Sequence, residues 1–248
     1  MIKLLDLVDA VFVINLPERV DRRSRMDKVL ASIGLSFDQE NVFLFPAVRV
    51  SDAAGFPSPG VRGCFLSHKT VLEQAREAGY KKVLILEDDV EFARNTLTLL
   101  ETLPTLANAG DLPNDFFYFG FEDPLNKAKF VNAKTQKLQL EEIPGRVVCA
   151  HAYTVSCDIY DDLINHLDEC LEGEPGDLER GPMDVDGAYN AFRRRYPHRK
   201  ATVVQPQVAW QRVTHSDLHA RTWHQAPGIR QILKPIRILR NRLILLSR

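Results

Sequence analysis

The sequence has almost no net charge: 32 Lys and Arg stand against 33 Asp and Glu, leaving −1 at neutral pH. That balance excludes bulk electrostatic binding of a nucleic acid, which needs a basic excess. Nowhere do 18 apolar residues run together, so no stretch reads as a membrane-spanning helix. The four cysteines, Cys64, Cys149, Cys157 and Cys170, form no C-x-x-C pair; they read as reduced thiols of a reducing, cytoplasmic compartment. No internal repeat is visible, which excludes a solenoid. The adjacent Ser67 and His68 invite a hydrolase reading, but there is no G-x-S-x-G elbow, and neighbours on a helix point about 100° apart. The apolar start, Met1 to Leu16, is interrupted by Asp6 and Asp9 and followed by no small-residue cleavage site, so it is expected to supply a first strand rather than a leader. What remains is 248 residues, 45% hydrophobic and 26% charged, the composition of a globular protein long enough to bury a sizeable core.

The most informative stretch is Val83-Leu84-Ile85-Leu86-Glu87-Asp88-Asp89-Val90. A short apolar run with β-branched residues reads as a buried strand of an α/β sheet. Ligands collect at the carboxyl ends of such strands, where three consecutive carboxylates fall here. They repel one another, and burial would raise their pKa values. A hard cation, Mn²⁺ or Mg²⁺, relieves that repulsion and is held by one or two carboxylates plus substrate phosphates. The competing reading is an acidic turn in which Asp89 caps a helix over roughly Glu91–Leu103.

Along the chain, Val11–Ile14 reads as the first strand, followed by a basic helix from Val20 to about Ile33 that Gly34 stops. Val42–Phe45 is a second strand, and Ser51–Gly60, rich in Gly and Pro, reads as a loop. Helical spacing of Phe65, Val71, Leu72 and Ala75 predicts a helix over Cys64–Ala78, closed by Gly79. Phe116–Phe119 is a strand, Lys127–Ile143 a hairpin lying over the sheet, and Val147–Ser156 a further strand. Asp158 is expected to cap an amphipathic helix. A Gly/Glu/Pro loop over about 173–181 leads to a helix through Tyr189 and Phe192, and short strands are expected at Val203–Val204 and Val208–Trp210. Alternating strands and helices predict an α/β fold with a mostly parallel sheet sandwiched by helices, an inserted antiparallel hairpin and a basic C-terminal helical tail.

Several stretches together resemble glycosyltransferase family 25, which contains bacterial lipooligosaccharide galactosyltransferases and is related to the procollagen galactosyltransferases. They are Val13-Ile14-Asn15-Leu16 with Asp21-Arg22-Arg23, Gly63-Cys64-Phe65-Leu66-Ser67-His68, Leu84 to Val90, His151-Ala152-Tyr153 with Ser156, Pro182-Met183-Asp184, Gln205-Pro206 with Gln211, and Ser216-Asp217. The chain departs from the pattern at Val61-Arg62 and at Leu218. The resemblance implies a GT-A fold over residues 1–225, with a nucleotide-sugar half to about residue 110 and an acceptor half beyond it. It also implies transfer of a hexose from a UDP-sugar to a glycan or glycolipid acceptor, with inversion at the anomeric carbon, in lipopolysaccharide or surface polysaccharide synthesis.

On that implied chemistry the residues take roles. Asp89 is the first choice of metal ligand, with Glu87 and the late His215 as further candidates. Glu87 and Asp88 would otherwise orient the cation or bind the donor ribose. Asn15, Arg22 and Arg23 are expected near uracil, ribose and phosphate, although the charged residues from Glu18 to Arg25 equally suit a solvated helix face. Ser67 and His68, read as lying near a helix N-terminus, would bind the donor anion or brace the helix against the acidic strand. An inverting transfer needs a base for the acceptor hydroxyl; Asp184 is the choice and Asp186 the reserve, against a plain helix-capping role. His151, Tyr153 and Gln211 are expected to support the site or contact the acceptor.

Two other classes compete: a receiver or phosphohydrolase domain that uses its acidic pair for phosphoryl chemistry, and a catalytically silent nucleotide-sugar-binding module. Residues 226–248 form a separate question. Ile229 to Arg248 carries six Lys and Arg and no acid, with Ile229, Ile232, Leu233, Ile236, Leu239, Leu243 and Leu246 on one helical face. Such a tail suits an anionic membrane surface, here the cytoplasmic face of the inner membrane. Alternatively it packs on the catalytic domain or on a second copy in a homodimer.

Overall fold

The computed structural model of the protein describes residues 3–103, 112–113, 115–122 and 137–212. Its centre is set by alternation along two adjacent strands. β1 (Ala10–Asn15) and β3 (Lys82–Glu87) pair in parallel, and β1 also pairs in parallel with β2 (Val42–Pro46). Successive side chains of a strand face opposite ways, so Ala10, Phe12, Ile14, Val83 and Ile85 enter one hydrophobic cluster while Val11, Val13, Leu84 and Leu86 enter another. Helices α2 (Pro59–Glu77), α4 (Tyr160–Glu172) and α5 (Val185–Arg195) cover the first face through residues such as Phe65, Leu72, Leu163, Leu167, Tyr189 and Phe192. Helices α1 (Val20–Ser32) and α3 (Thr96–Leu100) cover the second through Met26, Leu30, Leu99 and Leu100.

The full sheet runs β2-β1-β3-β7-β5-β8-β6, with β5 at Phe116–Tyr118, β6 at Gln139–Glu142, β7 at Ala152–Ser156 and β8 at Ala201–Gln205. β2, β1, β3, β5 and β8 point one way, and β7 and β6 point the other. The mostly parallel α/β sandwich expected from the sequence is therefore present. A second, two-stranded sheet pairs β4 (Val90–Phe92) with β9 (Ala209–Gln211) and brings Gln211 opposite Val90, at the edge of the acidic run.

Several local expectations are corrected. α2 begins at Pro59 rather than Cys64, because Ser58 accepts a hydrogen bond from Val61 N and Pro59 occupies the first turn, both strong start signals. Asp89 does not cap a helix over 91–103; the chain continues as β4 and turns helical only at Thr96. The strand expected from Val147 starts at Ala152, since Cys149 sits in the left-handed region at φ 74°, where a side chain is disfavoured. Asp158 lies in a 3-10 turn, and Ile159 is the N-cap of α4. Of the hairpin expected over 127–143, the described part is β6, an edge strand paired with β8 instead of a layer over the sheet. The C-terminal tail and His215 lie outside the described residues.

Candidate active site

Strand alternation separates the three carboxylates. Glu87 continues the phase of Val83 and Ile85 and turns toward α2, whereas Asp88 continues that of Leu84 and Leu86 and turns toward α1. Accordingly, Glu87 Oε1 lies 3.3 Å from His68 Nε2 and 3.8 Å from Cys64 Sγ, both on α2. Burial works to raise the pKa of Glu87, yet its hydrogen bond with His68 and the charges of His68 and His151 hold it below the ordinary carboxylate value. Asp88 is engaged from the other side: Arg22 donates to Oδ1 at 2.6 Å, and Asn15 donates to Oδ2 at 2.7 Å. Burial nevertheless pushes its pKa up, against the pull of Arg22 and Asn15.

Asp89 lies between them. Its Oδ2 accepts from Gln211 Nε2 at 3.3 Å and stands 3.6 Å from Arg22. Its Oδ1 is buried and has no hydrogen-bond partner among the described residues. Burial, with Glu87 and then Asp88 adding repulsion against the pull of Arg22, pushes the Asp89 pKa up to about 7. An unpaired buried carboxylate oxygen is costly, and a hard divalent cation is the group such an oxygen suits. The donor set at Asp89 therefore fits Mn²⁺ or Mg²⁺.

Across from this cluster, the chain entering α5 supplies two more carboxylates. Asp186 is half-buried and accepts from Cys149 N at 2.9 Å and Gly187 N at 2.8 Å. Burial raises its pKa, against the Cys149 amide. Asp184 occupies the N-cap position, but its side chain makes no capping bond and is exposed. Both approach Cys64, whose thiol is pushed well above its ordinary pKa by burial, then by Glu87, Asp186 and Asp184. Cys64 is therefore the residue on which Glu87, from the end of β3, and the two α5 acids all act.

The structure places the other expected residues unevenly. Arg23 is exposed on the outer side of α1, while Arg22 turns inward. Ser67 and His68 lie mid-helix, not at an N-terminus, so their amides cannot receive an anion; the early start of α2 is the reason. Ser67 Oγ donates to Gly63 O at 2.7 Å and accepts from Val48 N at 2.8 Å, which ties the 47–50 segment to α2. His68 Nδ1 is 2.9 Å from Tyr153 Oη, which is 2.8 Å from Tyr189 Oη. His151 is buried beside Glu87, and burial lowers its pKa. Cys64 and Cys149 were not expected at the site. Cys64 was findable, since it precedes His68 by one helical turn and shares its face; Cys149 has no local signal.

The Arg22–Asp88 pair yields one prediction. Both side chains are about nine-tenths covered, at 11% and 9% exposure, and removing one member of a buried pair strands the other. Arg22→Met is expected to destabilise the fold by about 3 kcal/mol, read as a lower denaturant midpoint with an unchanged slope.

Compared with known proteins, residues 8–171 match the family model described as glycosyltransferase family 25 (LPS biosynthesis protein). Inactive glycosyltransferase 25 family member 3 of Homo sapiens is 32% identical over 161 residues, covering 58% of this chain and 26% of its own length. Procollagen galactosyltransferase 2 of Homo sapiens is 30% identical over 128 residues, covering 45% of this chain and 20% of its own. The chain thus spans about a quarter of the length of the curated relatives it matches. A glycosyltransferase involved in glycosylation of the major capsid of PBCV-1 superposes with a TM-score of 0.49 at 11% identity, over 84% of this chain and 93% of that one. The family match contains Asn15, Arg22, Cys64, His68 and Glu87 to Asp89, whereas Asp184, Asp186 and Gln211 fall beyond it.

Proposed function

Because the chain belongs to glycosyltransferase family 25, we propose that it is a metal-dependent, inverting, GT-A-type enzyme that moves galactose or glucose from a UDP-sugar to a glycan or glycolipid acceptor in lipopolysaccharide or surface polysaccharide synthesis. The observation that carries the reading is the buried Asp89 Oδ1 just past the end of β3, which has no hydrogen-bond partner among the described residues. Asp89 would hold Mn²⁺ or Mg²⁺, and the cation would supply Lewis-acid stabilisation of the departing diphosphate, worth several kcal/mol. Glu87 and Asp88 are held by partners on opposite faces, so they orient the Asp89 loop and the donor. Arg22, between Asp88 and Asp89, is the cation best placed to meet phosphate. The acceptor oxygen attacks the anomeric carbon opposite the nucleotide, its proton passes to Asp184, and the bond to the diphosphate breaks with its electron pair leaving on UDP.

A screen of UDP-galactose, UDP-glucose and UDP-N-acetylhexosamines for hydrolysis with Mn²⁺ tests the reading. Release of hexose from one donor is the expected result. The runner-up is a silent nucleotide-sugar-binding module, favoured by the relative named inactive and by the engagement of Asp88 with Arg22. UDP binding in a calorimeter with no sugar released from any donor would select it. Phosphoryl transfer from acetyl phosphate would instead favour the receiver-like alternative.

No helix among the described residues is long and apolar enough to cross a membrane. The basic segment 226–248 is proposed as a peripheral anchor on anionic lipid, where each Lys or Arg near the surface adds about 1 kcal/mol. Deletion after Pro227 is expected to abolish sedimentation with anionic vesicles at low salt. Equal binding by truncated and full-length protein would refute the anchor, and an insoluble truncated protein would favour packing on the domain or on a second copy.

A further inference from the structure

Three side chains converge on the α2 side of the sheet, and two of them, Cys64 and His68, have no part in the transfer chemistry above. Cys64 Sγ, His68 Nε2 and Glu87 Oε1 all lie within 4.8 Å of one another. The His68–Glu87 separation is 3.3 Å and the Cys64–Glu87 separation is 3.8 Å. In tetrahedral zinc sites, with bonds of about 2.0–2.3 Å, neighbouring ligand atoms stand about 3.3–3.6 Å apart. The cluster therefore sits within a few tenths of an ångström of a closed site on two of its edges.

We propose that Cys64, His68 and Glu87 form a binding site for a zinc-class divalent cation, separate from the hard-cation position at Asp89. The spacing of two ligands is built into α2, where Cys64 and His68 are one turn apart. The outer shell is also in place. Tyr153 Oη, 2.9 Å from Nδ1, fixes the imidazole and leaves Nε2 facing the other two ligands. Gln211 donates to Glu87 Oε2 at 3.4 Å and leaves Oε1 turned inward. Partners of this kind are typical behind metal-binding His and carboxylate groups. Donor chemistry separates the two positions: thiolate and imidazole select zinc and its neighbours, while carboxylate oxygens alone select magnesium and manganese. Binding converts the Cys64 thiol to a metal-bound thiolate and releases its proton to solvent. The open fourth corner of the tetrahedron would take water.

Cobalt(II) alone is the probe, titrated into the full-length, chelator-treated chain under non-thiol reductant. The wild type is expected to give a thiolate-to-cobalt charge-transfer band and tetrahedral visible bands, both removed by excess Zn²⁺. Cys64→Ser should lose the charge-transfer band, and Cys149→Ser, Cys157→Ser and Cys170→Ser should keep it. Tyr153→Phe should weaken cobalt binding about 10- to 100-fold without moving the band. Asp89→Asn should keep it entire, which separates this site from the fate of the transferase reading. Absence of the band in the wild type, or its survival in Cys64→Ser, overturns the proposal. If Cys64→Ser fails to fold, alkylation of the wild type decides: Zn²⁺ should slow modification of Cys64, and equal rates with and without zinc overturn it.

Discussion

Asp89→Asn is expected to keep the fold and to lose transfer by on the order of 10²–10³-fold, the equivalent of the several kcal/mol that a bridging cation supplies. Wild-type activity should vanish in chelator and return with Mn²⁺ or Mg²⁺; full activity in EDTA would overturn the assignment. The same substitution has an opposite effect on stability, and its sign follows from the raised pKa. The carboxyl of Asp89 titrates at about 7 in the folded protein, against 3.8 ordinarily, chiefly because it is buried and then because Glu87 is close. Between those values the unfolded chain has released the proton and the folded chain still holds it. Stability therefore falls as pH rises through that window, and the loss is complete above about pH 7. An amide never ionises. Without metal, Asp89→Asn is expected to melt above the wild type at pH 8 and level with it near pH 4. Added Mn²⁺ should raise the melting temperature of the wild type at pH 8 and leave the variant unchanged. Such a gain in stability with loss of activity is the signature of a site held in an unfavourable charge state for function.

The main features of this site were readable from local sequence where a single element carries them. The apolar run of β3 followed by three acids states both a buried strand and a polar end, and the strand ends at Glu87 as expected. The alternation that sends Glu87 to α2 and Asp88 to α1 is also implicit in the run. Which side chains wait there is not. Arg22 and Asn15 reach Asp88 across 66 and 73 residues of sequence, and nothing in the spacing of a basic helix distinguishes Arg22, turned inward, from Arg23, turned out. The start of α2 is hidden because Gly55, Pro57, Pro59 and Gly60 look like a loop, although Ser58-Pro59 is itself a start signal. The helix begins five residues before Cys64, which puts Ser67 and His68 in the helix middle, where they brace their neighbours, rather than at a helix end, where an anion could bind. Cys149 was invisible for a different reason: a left-handed residue without glycine has no compositional mark. Its conformation aims an amide at Asp186, a tertiary contact that local propensity does not encode.

The choice between the two α5 carboxylates turns on access against basicity. Burial raises the pKa of Asp186, which favours it for proton removal. Both its oxygens, however, already accept backbone amides, from Cys149 and Gly187, and those bonds lock it into the support of the 147–150 segment. Asp184 has neither restraint: it stands at the start of α5, exposed, with no capping bond to satisfy. A carboxylate at that position can swing to an acceptor hydroxyl and still be oriented by the helix behind it. Asp184→Asn is therefore expected to lower turnover on the acceptor by about 10²–10⁴-fold, with the dissociation constant for UDP unchanged in calorimetry. Asp186→Asn should chiefly lower the melting temperature, because an amide can replace only one of the two accepting oxygens. The reverse pattern, a stable but inactive Asp186→Asn beside an active Asp184→Asn, would move the base to Asp186. A product that keeps the donor's anomeric configuration would remove the need for a base opposite the nucleotide, and with it the case for either residue as that base.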